Sequence, residues 1–422
     1  MTRRPLIGVG AVGVVVTIAM LFALGSGPAA PSPSASAGAV DPAATTAGPG
    51  ATTAGPGATT AGTAATPQPT ARPVPGHEVF GFVPYWEMND GIADHLAKTP
   101  LTTLALFSVT HAKDGTLDTK QTGYRRISGA IGKRLIREAH DRGTAVQLTY
   151  TSFGTARNQR FFASTEVQDT TIAGLVALAK RIGVDGIDVD VERVDVELAP
   201  AFGAFVGRLR DALRAKIPDG QVSVATTSGP IGGAMARAAA DAGADRIFMM
   251  AYDYHYAGSE PGASAPMDRR DGANPDLVWS LDLFESLGVP VERTILGLPL
   301  YGMRWRVSGP EIGASRLGDG AIWVPADNPR FLADPPRPPE LDPIEIVDFY
   351  AVAPKVSAAP GDSRAIAGWQ AIYVDSPRTL APKLALADDR GLAGAGFWAI
   401  GYERGLPGYT ALIAKFGAGK LQ

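Results

Sequence analysis

Between Asp185 and Glu192 the chain reads Asp-Gly-Ile-Asp-Val-Asp-Val-Glu. Successive side chains of a β-strand point to opposite faces, so Asp188, Asp190 and Glu192 share one face while Ile187, Val189 and Val191 share the other. One face suits a hydrophobic core, and the other gathers three carboxyls. Neighbouring carboxylates repel, which raises the proton affinity of each. A carboxyl that keeps its proton near neutral pH can serve as a general acid. Two plainer readings of an acidic run are a solvated strand face and a calcium loop. The β-branched residues between the acids argue against the first, and the missing calcium-loop glycine spacing argues against the second.

The elements that would position this strand are legible on either side of it. From Gly76 to Gln422 the composition is globular, and strand patterns recur at Val79 to Pro84, Thr102 to Thr110, Ala145 to Ser152, Gly186 to Glu192, Gln221 to Thr227, Arg246 to Tyr252, Thr294 to Leu300 and Gly394 to Ile400. Helical periodicity lies between several of them: Ile131, Leu135 and Ala139 before Gly143; Ile172, Leu175, Val176, Ala179 and Ile182 before Gly183; Phe202, Phe205, Val206, Leu209 and Leu213. Alternating apolar strands and helices predict an α/β fold. No glycine-rich phosphate turn follows the first strand, so a (β/α)8 TIM barrel is favoured over an open doubly wound sheet. A Pro- and Gly-rich stretch from Met303 to about Ala365 interrupts the rhythm before the last strand and is expected to form one wall of a cleft.

Barrel catalysis gathers at the carboxyl ends of the strands. Glu192 ends the fourth strand, and the other strand ends offer Phe82, Tyr85 and Trp86, then Tyr150 and Ser152, then Met250, Tyr252 and Asp253, then Tyr301 and Arg304, and finally Trp398. Aromatic faces interspersed with acids suit sugar rings, whose C-H bonds stack on π-systems while their hydroxyls seek hydrogen bonds.

The formal net charge of −3 and the lack of long basic runs give no electrostatic footprint for nucleic acid. Without cysteine, the chain has no disulfide framework, thiolate zinc site or cysteine-linked lipid anchor. His77, His95, His111, His140 and His255 never fall at paired ligand spacing, so no metal or cofactor is expected. The glycine pattern Gly8-Val9-Gly10-Ala11-Val12-Gly13 lacks the βαβ unit of a dinucleotide site.

Residues 1–27 read as an export signal or a retained signal anchor, because Arg3 and Arg4 precede the apolar run Leu6 to Leu24. Ala35-Ser36-Ala37 is one candidate cleavage site, and residues 6–24 would be the membrane tether if cleavage does not occur. The expected location is secreted or extracytoplasmic. Residues 28–75, almost wholly Ala, Thr, Gly, Pro and Ser, carry Ala-Thr-Thr-Ala-Gly-Pro-Gly twice and are expected to be a disordered linker. A monomer is expected.

The globular part resembles glycoside hydrolase family 18, the chitinase-like hydrolases. Four segments carry the resemblance: Asp185 to Glu192, Met250-Ala251-Tyr252-Asp253, Gly297-Leu298-Pro299-Leu300-Tyr301-Gly302 and Gly396-Phe397-Trp398. The resemblance implies that Glu192 protonates the glycosidic oxygen and later acts as base toward water. It implies that Asp190 orients the substrate's own 2-acetamido group, the nucleophile of a retaining, substrate-assisted reaction. Asp188 would share a proton with Asp190, and Tyr252 would bond the acetamido group. Asp253 would hold the sugar, and Trp398 would form the floor. Asp185, Met250, Asp253, Tyr301, Arg304, Trp398, Trp86 and Phe82 are the substrate-binding candidates. The implied substrate is a β-1,4-linked polysaccharide containing N-acetylglucosamine, either chitin or peptidoglycan.

Departures from the family pattern also bear on the cleft. Tyr150-Thr151-Ser152-Phe153-Gly154 lacks the second of two glycines that often follow the serine. The stretch after Met303 does not read as the compact α+β insertion of many processive chitinases, so a shallower, endo-acting cleft is expected. Gly81 to Trp86 and Gly401-Tyr402-Glu403 look closer to bacterial members associated with cell-wall and spore-cortex peptidoglycan. Two other functions stay open: a lectin-like barrel that binds sugar without cleaving it, and a glycosidase for another sugar with Asp253 as a protein nucleophile.

Overall fold

A computed structural model describes residues 77–354 and 368–421. The expected signal or anchor and the linker lie outside these residues. In chain order the strands are β1 (Glu78–Pro84), β2 (Thr103–Val109), β3 (Ala145–Phe153), β4 (Gly186–Glu192), β5 (Gln221–Thr227), β6 (Arg246–Met250), β7 (Thr294–Pro299), β8 (Gly302–Val307), β9 (Ala321–Trp323), β10 (Glu340–Asp342), β11 (Val347–Val352), β12 (Trp369–Val374) and β13 (Gly394–Trp398). β1 to β7 and β13 pair in parallel and close on themselves as a (β/α)8 TIM barrel, as the strand and helix alternation predicted.

The β4 alternation is realised with its apolar side outward. Ile187, Val189 and Val191 are buried beneath the helices Thr165–Ile182 and Ala199–Arg214, whose Leu175, Phe202, Phe205 and Leu209 belong to the same core. Each such side chain contributes roughly 1.5–3 kcal/mol by leaving water. The helix Thr165–Ile182 begins where Ser164 accepts a hydrogen bond from the Val167 backbone and ends at left-handed Gly183.

Inside the barrel, the register sets Thr149, Asp188, Ser223 and Arg246 in one row across β3 to β6, with Thr151, Asp190, Ala225 and Phe248 in the next. Arg246 donates to both Glu78 carboxylate oxygens through Nε at 2.8 Å, closing the amino end of the barrel with an ion pair. Phe248 fills the axis above it, with ring centroids 5.5 Å from Phe80 and 4.9 Å from Phe82. Two glycines make room for that ring. A Cβ on Gly297 would lie 2.4 Å from Phe248 Cε1 and 2.6 Å from the Met249 carbonyl, and one on Gly396 would lie 2.5 Å from Phe248 Cε2.

The interruption before the last barrel strand is larger and more regular than the sequence suggested. It runs from Gly302 to Val374 and folds into a five-stranded antiparallel sheet ordered β10-β11-β12-β8-β9. The strands β11 and β12 escaped notice because the segment before them is proline-rich and β12 pairs with the distant β8. Met303, Trp305, Phe349 and Tyr373 on one face join the main core, while Trp323, Tyr350, Ile372 and Val374 build a second cluster on the other. A turn at Asp342 to Ile346 pins this sheet to loop 253–276. The Ala263 backbone donates to Glu345 Oε2 at 2.7 Å, the Met267 backbone donates to the Glu345 carbonyl at 3.1 Å, and Arg270 pairs with Asp342. Among the described residues, no helix is long and apolar enough to cross a membrane.

Gly297→Ala should destabilise the chain by about 1–3 kcal/mol, the usual cost of overpacking. Combined with Phe248→Leu, it should cost less than the two single changes added together, because the smaller side chain frees the space. Thermal melts of the four proteins measure this coupling, and strict additivity would mean that Phe248 is not what the glycine accommodates.

Candidate active site

Three carboxyls rise through the barrel along β4. Asp188, fully buried, accepts a hydrogen bond from Ser223 Oγ at 2.9 Å, and that hydroxyl also lies 2.5 Å from Gln147 Oε1. Burial pushes the Asp188 pKa up to about 7, with Ser223 and Thr149 opposing the rise. Asp190, one inner row higher, is buried, and its Oδ1 has no hydrogen-bond partner among the described residues. Its pKa is raised well above the usual carboxylate range, first by burial and then by Glu192 and Asp188. Glu192 ends the strand with some access to solvent, and burial together with the Asp253 charge pushes its pKa up to about 7, opposed by Arg193. The acids therefore hold protons at a pH where ordinary carboxyls have lost them, and they titrate as a set.

The backbone of Glu192 is clamped from the turn and helix that follow β3. Its carbonyl accepts from Asn158 Nδ2 at 2.6 Å and from the Gly154 backbone at 3.2 Å, and Ser152 Oγ donates to Asn158 Oδ1 at 2.7 Å. Arg193 follows with φ of 60°, turning the chain out of the strand.

Asp253 and the tyrosines face these acids from beyond the ends of β6 and β7, two and three strands around the barrel from β4. Asp253 adopts φ of 58°, a conformation that side-chain-bearing residues seldom take. Ser264 holds the turn by accepting from the Asp253 backbone at 3.0 Å, and the Tyr301 hydroxyl donates to the Asp253 carboxylate. Tyr252 lies 6.3 Å from Tyr301 between ring centroids. Burial raises the Tyr252 pKa well above its ordinary value, and Asp190, Asp253, Glu192 and Asp188 push it further, so the phenol stays a hydrogen-bond donor. Trp398 lies against Phe107 at 4.7 Å, Phe82 at 5.7 Å and Trp86 at 6.3 Å, and Trp86 Nε1 donates to the Tyr402 hydroxyl at 3.2 Å.

The structure thus brings together Glu192, Asp190, Asp188, Tyr252, Asp253, Tyr301, Trp398 and Trp86, with half-buried Met250 in the inner row at the end of β6. Other expectations need correction. Asp185 lies at the amino end of β4, about 23 Å of strand from Glu192 at 3.3 Å per residue, where it binds His140 Nε2 at 2.8 Å and the Val146 backbone at 2.7 Å. Phe82 is only 2% exposed and supports Trp398 from below, out of reach of a ligand. Arg304 pairs with Ile372 across the inserted sheet and is exposed on the face that carries the second cluster, turned away from the main core.

Tyr150 and Ser152 belong to the outward side of β3. The register pairs Thr149, Thr151 and Phe153 with Asp188, Asp190 and Glu192, whereas the Tyr150 hydroxyl lies 2.7 Å from His111 Nδ1 behind the sheet. The period of two groups Thr149, Thr151 and Phe153 on one face of β3 and puts Ser223 on one face of β5, and pairing with β4 decides that these faces are the inward ones. Gln147 also has that parity, but nothing in the sequence linked it to Ser223. Among the described residues, no three acidic or histidine side chains are arranged to hold a metal ion.

Comparisons with known proteins agree with this geometry. The model of the family described as "Glycosyl hydrolases family 18" matches residues 79–403. A Bacillus subtilis (strain 168) protein named as a sporulation-specific glycosylase is 30% identical over 165 residues, covering 38% of this chain and 37% of that protein. The chain therefore spans well under half of that relative's length. Among solved structures, the spore cortex-lytic enzyme SleL of Bacillus cereus superposes with a TM-score of 0.62 at 17% identity, over 80% of this chain and 74% of that one. A chitinase from Cycas revoluta, in complex with (GlcNAc)3, superposes with a TM-score of 0.64 at 17% identity, over 82% of this chain and all of the other. At such identities the superpositions establish a shared fold.

A buried acid with a raised pKa binds more protons folded than unfolded, so stability falls as pH rises from the ordinary carboxylate range toward the folded pKa. Asp188→Asn should accordingly melt at a higher temperature than the parent at pH 8, and the gain should vanish near pH 4. Circular-dichroism melts at the two pH values test this, and an equal effect at both would contradict it.

Proposed function

The chain belongs to glycoside hydrolase family 18, and from that premise we propose that it is a retaining, substrate-assisted glycosidase acting on β-1,4-linked polysaccharide that contains N-acetylglucosamine. The observation that carries the proposal is the buried Asp190 Oδ1, which has no hydrogen-bond partner among the described residues and belongs to the same acid cluster as Glu192 and Tyr252. Leaving a buried polar atom without a partner costs free energy, and an acetamido N-H supplies the missing donor. Tyr252 would donate to the acetamido carbonyl. That oxygen attacks the anomeric carbon as Glu192 gives its proton to the departing glycosidic oxygen, forming an oxazolinium ion. Water, deprotonated by Glu192, then opens this ion with net retention.

A protein nucleophile is less well supported. Asp253, the acid that faces Glu192, is already bound by Tyr301 and Ser264 in a constrained turn. The names of the sporulation-specific glycosylase and the cortex-lytic enzyme favour peptidoglycan, whereas the Cycas revoluta chitinase favours chitin. Both polymers present the required sugar. The N-terminal segment would carry the enzyme out of the cytoplasm, where either polymer is met.

Product mass spectrometry tests the proposal, with the full chain and Glu192→Gln incubated on chitin oligosaccharides and on purified peptidoglycan. Parent-dependent fragments that end in reducing N-acetylglucosamine and disappear in the variant are expected. Equal activity in the variant would remove Glu192 from the chemistry. Because Glu192 must be protonated to act as the acid and its pKa is about 7, kcat/KM should decline as pH rises through that value. A profile flat to pH 9 would count against it.

A further inference from the structure

We propose that Phe153 is a sugar-stacking platform beside Glu192, forming a subsite for the ring adjacent to the one held over Trp398. This inference rests on the function proposed above and extends it to substrate length. Phe153 ends β3 in register with Glu192 and on the inward side of the strand, so its ring projects at the mouth of the barrel. It is 37% exposed, although the nearby Phe161 and Phe162 are buried in the core. At that exposure it forgoes part of the roughly 1.5–3 kcal/mol that full burial would contribute, and a lone exposed apolar residue would need no special reason.

Three features set this ring apart. Its plane is within 25° of that of Phe107, with centroids 6.5 Å apart, and Phe107 stands edge-on to Trp398 at 4.7 Å. An aromatic path thus leads from the buried Trp398 to an exposed face. The backbone that carries the ring is also tied to the acid, because Gly154, immediately after Phe153, and the Asn158 side chain both bond the Glu192 carbonyl. Finally, Gly154 at φ 105° turns the chain away, and apart from its chain neighbours no atom lies within 4 Å of where its Cβ would be, so no other segment packs against this turn. The C-H face of an N-acetylated pyranose would cover the ring, much as aromatic side chains meet one another through their π faces. Trp86, 36% exposed and 6.1 Å from Phe107, offers a second exposed face beyond it.

Steady-state kinetics on N-acetylglucosamine oligosaccharides from the disaccharide aryl glycoside to the hexamer test the inference. Phe153→Ala should raise KM by about tenfold, the change given by losing one aromatic contact, for every member of the series, because the disaccharide aryl glycoside also places a ring beside the one over Trp398. The loss should fall on KM and not on kcat, and Phe153→Trp should restore KM. Identical KM values at every length would refute the platform, and a uniform loss of kcat would assign Phe153 a structural role instead. Failure of the parent chain to cleave either this series or purified peptidoglycan would overturn the proposed function, and the platform with it; cleavage of peptidoglycan alone would refute a platform for consecutive N-acetylglucosamine rings.

Discussion

The structure depends on keeping three carboxyls of one strand inside a barrel, where water cannot solvate their charges. Burial and mutual repulsion make the ionised forms expensive, so the acids retain protons and share them. Such an arrangement persists only where the rest of the fold supplies the stability it forgoes. The outward residues Ile187, Val189 and Val191, locked under two helices, provide part of it. The inner row contributes hydroxyls, with Ser223 bonding Asp188, while phenylalanines occupy the axis.

The division of labour along the barrel axis follows from the same constraint. At the amino end Glu78 and Arg246 bond each other, with Arg246 also donating to the Asp245 carbonyl, and Asp185 binds a histidine and a backbone amide. These acids are partnered and structural. At the carboxyl end Asp190 keeps an unsatisfied oxygen, and Asp253 sits in an uncommon backbone conformation. Acids of one chain thus differ according to whether the described residues supply all their partners.

Much of the barrel was readable because a helix-covered parallel sheet imposes simple patterns. The bounds of β4 and β5 agree with those read from the sequence, and the helix Thr165–Ile182 ends at the Gly183 that the pattern marked. The acids were legible for the same reason, since alternation on one strand needs no knowledge of its neighbours. Register between strands does need it. Tyr150 and Ser152 were assigned to the cleft, and Thr149, Thr151 and Phe153 were passed over, because the parity of β3 relative to β4 is set by pairing. Asp185 misled because it heads an acidic motif while lying at the far end of the strand. The inserted sheet was obscure because its short strands meet partners distant in sequence, as Trp369 does with Val307.

The inserted sheet leaves the barrel directly after Tyr301, which holds Asp253, and its Asp342 to Ile346 turn grips the loop that Asp253 begins. It is therefore no detachable appendage. A chain that exchanged this sheet for one of another shape would have to carry loop 253–276 along with it, or lose the anchor of that acid. The sheet and the geometry of Asp253 form one mechanical unit, and change in either is bounded by what the other tolerates.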